Sequence, residues 1–235
     1  MSDQYGSRNY GAHTVISLFD LTGESVQPWA DAGYGCHVID QQHTAGDLRE
    51  NIKAHNIDLL HADPEQLLRA LEIEDYRQIA FISAYPSCQN LAVSGARWFK
   101  GKGLRALASG INMFATAADF CEYVNTFQAT PYYIENPVST ISTYWRKPDY
   151  MYHPWQYSGL EPADCYTKKT CLWTGGGYNH PAPDCDPDCD PDDRIHKAAP
   201  GPERANFRSA TPAGFARAVF AANAPIQSIK LEKVT

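Results

Sequence analysis

The chain has 235 residues, 43% hydrophobic and 20% charged, enough for one α/β domain with a good core, or one domain plus a small appendage. Its net charge of −7 weighs against a nucleic-acid binder that uses its whole surface, and no apolar run approaches the roughly 20 residues that span a bilayer, so no membrane partner is expected. The polar stretch Met1 to His13 lacks the features of a signal peptide, and seven cysteines without an export signal weigh against a disulfide framework, so a soluble, cytoplasmic protein is expected.

In chain order, Thr14 to Leu21 is predicted as strand one, and Thr22-Gly23-Glu24-Ser25 as a turn. A helix follows over Val26 to Ala32, with Pro28 in its first turn and Gly33 closing it. Tyr34 to Ile39 is strand two, ending at Asp40. Gly46 to His55 is amphipathic and predicted helical, and Ile57 to His61 is a short third strand before Ala62-Asp63-Pro64. Glu65 to Leu71 is a helix. Ile79 to Ala84 is a buried strand that stops at Tyr85-Pro86, and Cys88 follows at once. Leu104 to Gln128 has helical spacing of apolar residues, and Tyr132 to Ile134 is strand five, followed by Glu135-Asn136-Pro137.

The second half differs. Ser142 to Tyr157 is rich in Tyr, Trp, Arg and Lys, and Cys171-Leu172-Trp173 is a further buried strand ended by Thr174-Gly175-Gly176-Gly177. Asn179 to Asp193 repeats Cys-Asp-Pro-Asp, a composition that builds neither helix nor sheet, and is predicted as a surface loop. Ala213 to Asn223 is a final helix.

Alternating strands and helices argue for a doubly wound, mostly parallel sheet. Asp20, Asp40, Asp63, Cys88 and Glu135 each fall at or beside the C-terminal end of a predicted strand, on the one edge where such sheets bind ligands. A thiol there is a candidate nucleophile, though a buried cysteine is the ordinary alternative. A nearby glutamate with a raised pKa could neutralise the charge an electron-poor ring gains on attack. Gly23 lets a ligand approach the first turn, and Asp40 could grip a ribose hydroxyl, but G-x-G-x-x-G is absent. A nucleoside cofactor without pyrophosphate, S-adenosylmethionine (SAM), fits better. Asp63 could accept from an adenine amino group or start a helix. Arg97 to Arg105 holds four basic residues and no acid, a local strip beside Cys88.

Tyr85-Pro86-Ser87-Cys88-Gln89 resembles the Pro-Cys-Gln loop of DNA cytosine-5 methyltransferases, and Glu135-Asn136-Pro137-Val138 resembles their Glu-Asn-Val loop. Phe19-Asp20-Leu21-Thr22-Gly23 is similar to their first SAM motif, Asp40 to their ribose-binding acid and Asp63 to their adenine contact. Leu91 to Phe99, Trp145 to Asp149 and Lys168 to Trp173 resemble a compact, phage-associated branch. The resemblance implies a SAM-dependent methyltransferase fold and methylation of cytosine C5 in DNA, as in restriction-modification, in a bacterial or phage-infected cell. It implies that Cys88 adds to C6 and that Glu135 contacts N3. It implies cofactor contacts at Asp20, Thr22, Gly23, Asp40, Gln41, Asp63 and Pro86. Gln89, Ser94, Arg97, Lys100, Lys102, Asn136, Pro137 and Lys168 become substrate contacts, with Ser94 to Arg105 a mobile loop closing over the base.

Three departures stand out. The usual Arg-x-Arg is replaced by Lys168-Lys169, which keeps charge but loses the planar fork, so Lys169 or Arg146 is the candidate substitute. The cofactor turn is poor in glycine. No large recognition domain follows: residues 1–173 form the catalytic domain, 174–211 a reduced insert, and 212–235 a helix packing back. A short or relaxed recognition site, a second copy of the chain as a homodimer partner, or a free-nucleotide, single-stranded or RNA substrate are the alternatives, beside a non-catalytic SAM- or nucleic-acid-binding subunit. Cys165, Cys171, Cys185 and Cys189, with His180 and His196, could hold zinc, or the repeat could be a plain acidic loop.

Overall fold

A computed structural model describes residues 13–197 and 210–224. Eight strands form one sheet in the order β3-β4-β2-β1-β5-β6-β8-β7. The strands are β1 (Thr14–Leu18), β2 (Gly35–Ile39), β3 (Gly46–Arg49), β4 (Ile52–His55), β5 (Ile79–Ala84), β6 (Tyr132–Pro137), β7 (Tyr150–Tyr152) and β8 (Thr170–Gly175). Strands β4, β2, β1, β5 and β6 run parallel, while β3 is antiparallel to β4, and β8 is antiparallel to both β6 and β7. The helices are α1 (Gln27–Asp31), α2 (Pro64–Ala70), α3 (Phe99–Asn125), the single turns α4 (Ile141–Tyr144) and α5 (Arg194–Lys197), and α6 (Ala213–Asn223).

The central strand β5, Ile-Ala-Phe-Ile-Ser-Ala, is buried along its whole length, as a parallel strand covered on both faces must be. On one face Ile16, Leu18, Ile82 and Ile134 pack against Leu67 and Leu68 of α2 and Phe114 and Val124 of α3. On the other, Val15, Val38, Phe81 and Tyr133 pack against Trp29 of α1 and Phe215 and Val219 of α6. Aromatic stacks join the second layer: Trp29 on Phe81 at 5.0 Å and Tyr152 on Phe215 at 3.9 Å between ring centres. Helix α6 thus covers this face of the sheet. Full burial of Phe215 alone is worth about 2–3 kcal/mol. Among the described residues no helix is long and apolar enough to cross a membrane.

Two predicted elements are corrected. Gly46–His55 is not a helix but the hairpin β3–β4, turning at Asn51 with φ 59°. Asparagine tolerates that left-handed conformation, and β3 is exposed throughout, so no burial pattern betrays it as a strand. Ile57 to His61 forms no strand, because β3 already occupies the edge beyond β4. The segment expected as a loop at 94–105 is instead a 3-10 turn, Val93–Trp98, running into α3, which breaks at Gly103 with φ 78°.

The cysteines are also corrected. Cys165 and Cys189 form a disulfide, against the expectation of none. Cys171 is buried in β8 and Cys185 is exposed, so the proposed zinc set is not assembled. Among the described residues no group of three His, Cys, Asp or Glu is placed to hold a metal; the His196 side chain lies outside them. The Pro/Asp loop is irregular, as expected, but it is fastened. Thr167 N donates to Asp192 O at 2.8 Å, Gly159 N to Asp184 O at 2.9 Å, and Tyr157 Oη to Pro181 O at 3.1 Å. It forms a strap across residues 156–167.

Candidate active site

Successive parallel strands run outward from β1 to β2 and β4, and then on its other side to β5 and β6. The order reverses between β1 and β5, and an open α/β sheet binds ligands outside the strand ends at that reversal. The loop after β1 carries Asp20, and the loop after β5 carries Cys88.

Asp20 is buried, and its carboxylate is fully engaged within the protein. Oδ1 accepts from Thr22 N at 2.9 Å and Gly23 N at 2.8 Å; Oδ2 accepts from Ser17 Oγ and Ser25 Oγ, each at 2.8 Å. These bonds hold a turn with two left-handed residues, Phe19 at φ 57° and Gly23 at φ 70°. A phenylalanine in that region is strained, and such strain collects at functional sites. Asp20 therefore shapes the loop and has no lone carboxylate oxygen to offer a ligand.

Cys88 is half-buried, and its carbonyl accepts from Leu91 N at 3.0 Å and Ala92 N at 2.8 Å, so it opens a tight turn. The loop is tied to the end of β6. Asn136, 1% exposed, donates Nδ2 to Pro86 O at 2.8 Å, and Val93 N donates to Val138 O at 2.9 Å. The residue beside Asn136 is Glu135. Burial pushes the Glu135 carboxyl up, and the Lys168 ammonium partly opposes this. Half-buried Lys168 also reaches Ala210 O at 3.5 Å, linking Glu135 to the segment entering α6. Tyr152, Tyr166 and Cys171 also lie within the electrostatic reach of Glu135.

Asn136 thus ties the end of β6, which carries Glu135, to the loop that carries Pro86 and Cys88, and Lys168 lies within the electrostatic reach of Glu135. Pro137 ends β6 opposite Thr170. Lys169 is exposed and lies within the electrostatic reach of the Cys171 thiol, whereas Lys168 is the cation whose charge Glu135 feels. Arg146 is elsewhere. Its guanidinium binds Asp149 at 2.5 Å and Thr174 O at 2.9 Å, and it lies over the Trp145 ring. Thr174 pairs with Tyr133, two residues before Glu135, roughly 7 Å back along β6.

The remaining positions lie around this centre. Asp40 Oδ1 accepts from Gln42 N at 2.8 Å, and Oδ2 has no hydrogen bond among the described residues; Gln41 is exposed beside it. Asp63 is the helix start: its Oδ1 accepts from Gln66 N at 2.9 Å, capping α2, and among the described residues Oδ2 has no hydrogen bond. Thr22 is partly exposed in the first turn. Ser94, Arg97, Lys100 and Lys102 are exposed, and Lys102 Nζ donates to Gln89 O at 2.5 Å and Asn90 Oδ1 at 3.2 Å. A cleft of about 360 Å³ lies between Asn90 and the start of α3, lined by Phe99, Lys102, Leu104 and Leu107.

Sequence reasoning missed Tyr85. Its hydroxyl bonds that of Tyr133 and meets Ser25 and Thr211, so it joins the first turn, β6 and the entry to α6. Burial raises its phenol well above the usual range. A tyrosine directly after a buried strand and before proline was its only signal.

The fold defines an α/β protein with an eight-stranded, mostly parallel sheet, with Cys88 in the loop after β5 and Glu135 near the end of the adjoining β6. The chain matches no protein-family model, and no curated protein matches it.

Proposed function

We propose that the protein is a SAM-dependent methyltransferase acting on C5 of cytosine in DNA. One observation carries this: the Asn136–Pro86 hydrogen bond fastens the strand end bearing Glu135 to the loop bearing Cys88, beside the sheet's reversal point. Cysteine and carboxyl in one pocket is what attack on a pyrimidine ring requires.

The residues present fit SAM. Among the described residues Asp40 and Asp63 each keep one carboxylate oxygen without a hydrogen bond, suited to a ribose hydroxyl and an adenine amino group. Gly23, at φ 70°, supplies the left-handed residue that the first turn needs beside such a cofactor. SAM, when bound, supplies an electrophilic methyl group.

The protein's own part runs as follows. The Cys88 thiolate bonds to cytosine C6, and the displaced ring electrons make C5 nucleophilic. Glu135, whose carboxyl burial pushes up, donates to N3 when it carries its proton and offsets the charge the ring gains. The Lys168 ammonium partly opposes that upward push. C5 takes the methyl group, loses its proton to water, and the Cys88–C6 bond breaks with its electron pair returning to sulfur. A paired base cannot reach Cys88, so the cytosine enters unstacked.

The test uses labelled SAM with cytosine-containing DNA, and the same DNA carrying 5-fluorocytosine. Label in 5-methylcytosine is expected, with a covalent protein–DNA adduct that Cys88→Ser abolishes. Absence of both products on every DNA form, or an adduct that persists in Cys88→Ser, would overturn the reading.

A further inference from the structure

Segment 93–105 leaves a set of side chains that neither the core nor the chemistry uses. Trp98 is 60% exposed, Leu104 83% and Val93 49%. A tryptophan left this open on a surface marks contact with a partner. The Arg97 guanidinium lies 5.0 Å from the Trp98 ring centre, making a paired cationic and aromatic face. Lys100, Lys102 and Arg105 follow with no acid among them. Lys102 joins this arm to the Cys88 loop through Gln89 O and Asn90 Oδ1.

The strap beside Lys168 is rich in the opposite charge, with Asp192 and Asp193 paired to Arg194 and Lys197. Thr167, adjacent to Lys168 and its partner Glu135, is bonded to Asp192 of the strap, and residues 184–193 contain six aspartates. A phosphate chain is attracted along the arm and repelled along the strap. A duplex brings two such chains, with one charge per about 1.7 Å of axis. A single strand brings one and exposes base faces for stacking.

We propose that the substrate is cytosine in a single-stranded polynucleotide, laid along residues 93–105 with a neighbouring base stacked on Trp98. Arg97, Lys100 and Arg105 neutralise its phosphates. This rests on the cytosine reading only for which base faces Cys88; the arm binds any sequence, because every base has a stacking face.

The test is fluorescence anisotropy on the full chain with labelled strands of about 12 nucleotides, all-thymine or with one cytosine, as DNA, as RNA and as the duplex. Single strands should bind at least about tenfold tighter than the duplex. Trp98→Ala should weaken them about tenfold, and Trp98→Phe should restore most of the loss. Lys100→Ala with Arg105→Ala should lower the slope of log K against log salt by about 1.4. Equal binding of RNA supports the stacking arm and assigns the sugar no part. Duplex binding as tight as single-strand binding overturns the proposal, and so does a Trp98→Ala protein that binds single strands normally. So does an exposed Trp98 that serves a second copy of the chain: a dimer dissolved by Trp98→Ala, without oligonucleotide binding. The all-thymine strand separates this proposal from the chemistry. Binding without methyl transfer refutes only the methyltransferase reading, and methylation confined to duplex refutes only the arm.

Discussion

Replacing Asp20 by alanine should cost stability in an amount set by which of its four partners can find another acceptor. Ser17 Oγ and Ser25 Oγ lie 3.3 Å apart, and Ser17 Oγ already meets Ser83 Oγ at 2.9 Å, so both hydroxyls can turn to each other. The Thr22 and Gly23 amides cannot turn, and alanine leaves both unbonded. A stranded buried amide costs about 1–3 kcal/mol, so Asp20→Ala should lose about 4 kcal/mol. Asp20→Asn keeps one oxygen for the two amides and should lose only about 1–2 kcal/mol. Urea unfolding reads the difference. With a slope of about 3 kcal/mol/M, alanine should lower the midpoint by about 1.3 M and asparagine by about 0.5 M, both at unchanged slope. An alanine shift below about 0.3 M, or an asparagine variant as weak as alanine, would refute the assignment of Asp20 as the organiser of this turn.

Asn136→Ala removes the bond to Pro86 O and should cost only about 1 kcal/mol in urea unfolding, yet slow covalent trapping of 5-fluorocytosine about 100-fold; an unchanged trapping rate would show that the tie does not position Cys88. His37 and His55, 2.9 Å apart, are each held down to about 4, first by burial and then by neighbouring positive charge. The folded state therefore binds fewer protons than the unfolded chain between these values and about 6.5, so this stability is fully present above pH about 6.5 and lost as pH falls through about 4. The loss is on the order of 3 kcal/mol for the coupled pair; His55→Phe should flatten the urea midpoint across that window, and an equally steep profile would count against the pair. Reducing Cys165–Cys189, which closes a 24-residue separation, should cost about 3.4 kcal/mol by chain entropy; the midpoint of a Cys165→Ser, Cys189→Ser protein should not respond to reductant.

Burial-driven features were legible. The apolar runs of β1, β2, β5, β6 and β8 announce themselves, and Ala213–Asn223 shows its helical spacing directly. So the strand ends, and with them Asp20, Cys88 and Glu135, could be placed on one edge. What depended on pairing across distance could not. β3 is exposed at every residue, so only Asn51 signalled a turn. Cys165 and Cys189 are read as partners only once the strap is folded across residues 156–167. An acidic residue at a strand end looks the same whether it faces a ligand, as Asp40 can, or is consumed by its own turn, as Asp20 is. Lys168 and Lys169 are adjacent in sequence, and only the fold shows which one Glu135 meets.

The placement of β8 has a consequence for synthesis. β6 pairs with β5 on one side, and among the described residues its other edge, Tyr132–Pro137, is covered by Thr170–Gly175 alone. While the chain emerges from the ribosome, every length between residues 138 and 169 leaves Glu135 on an open, tyrosine-bearing edge strand, the geometry that templates aggregation. Fragments truncated before residue 170 should accumulate as insoluble material, because only the arrival of β8, Thr170–Gly175, caps that edge.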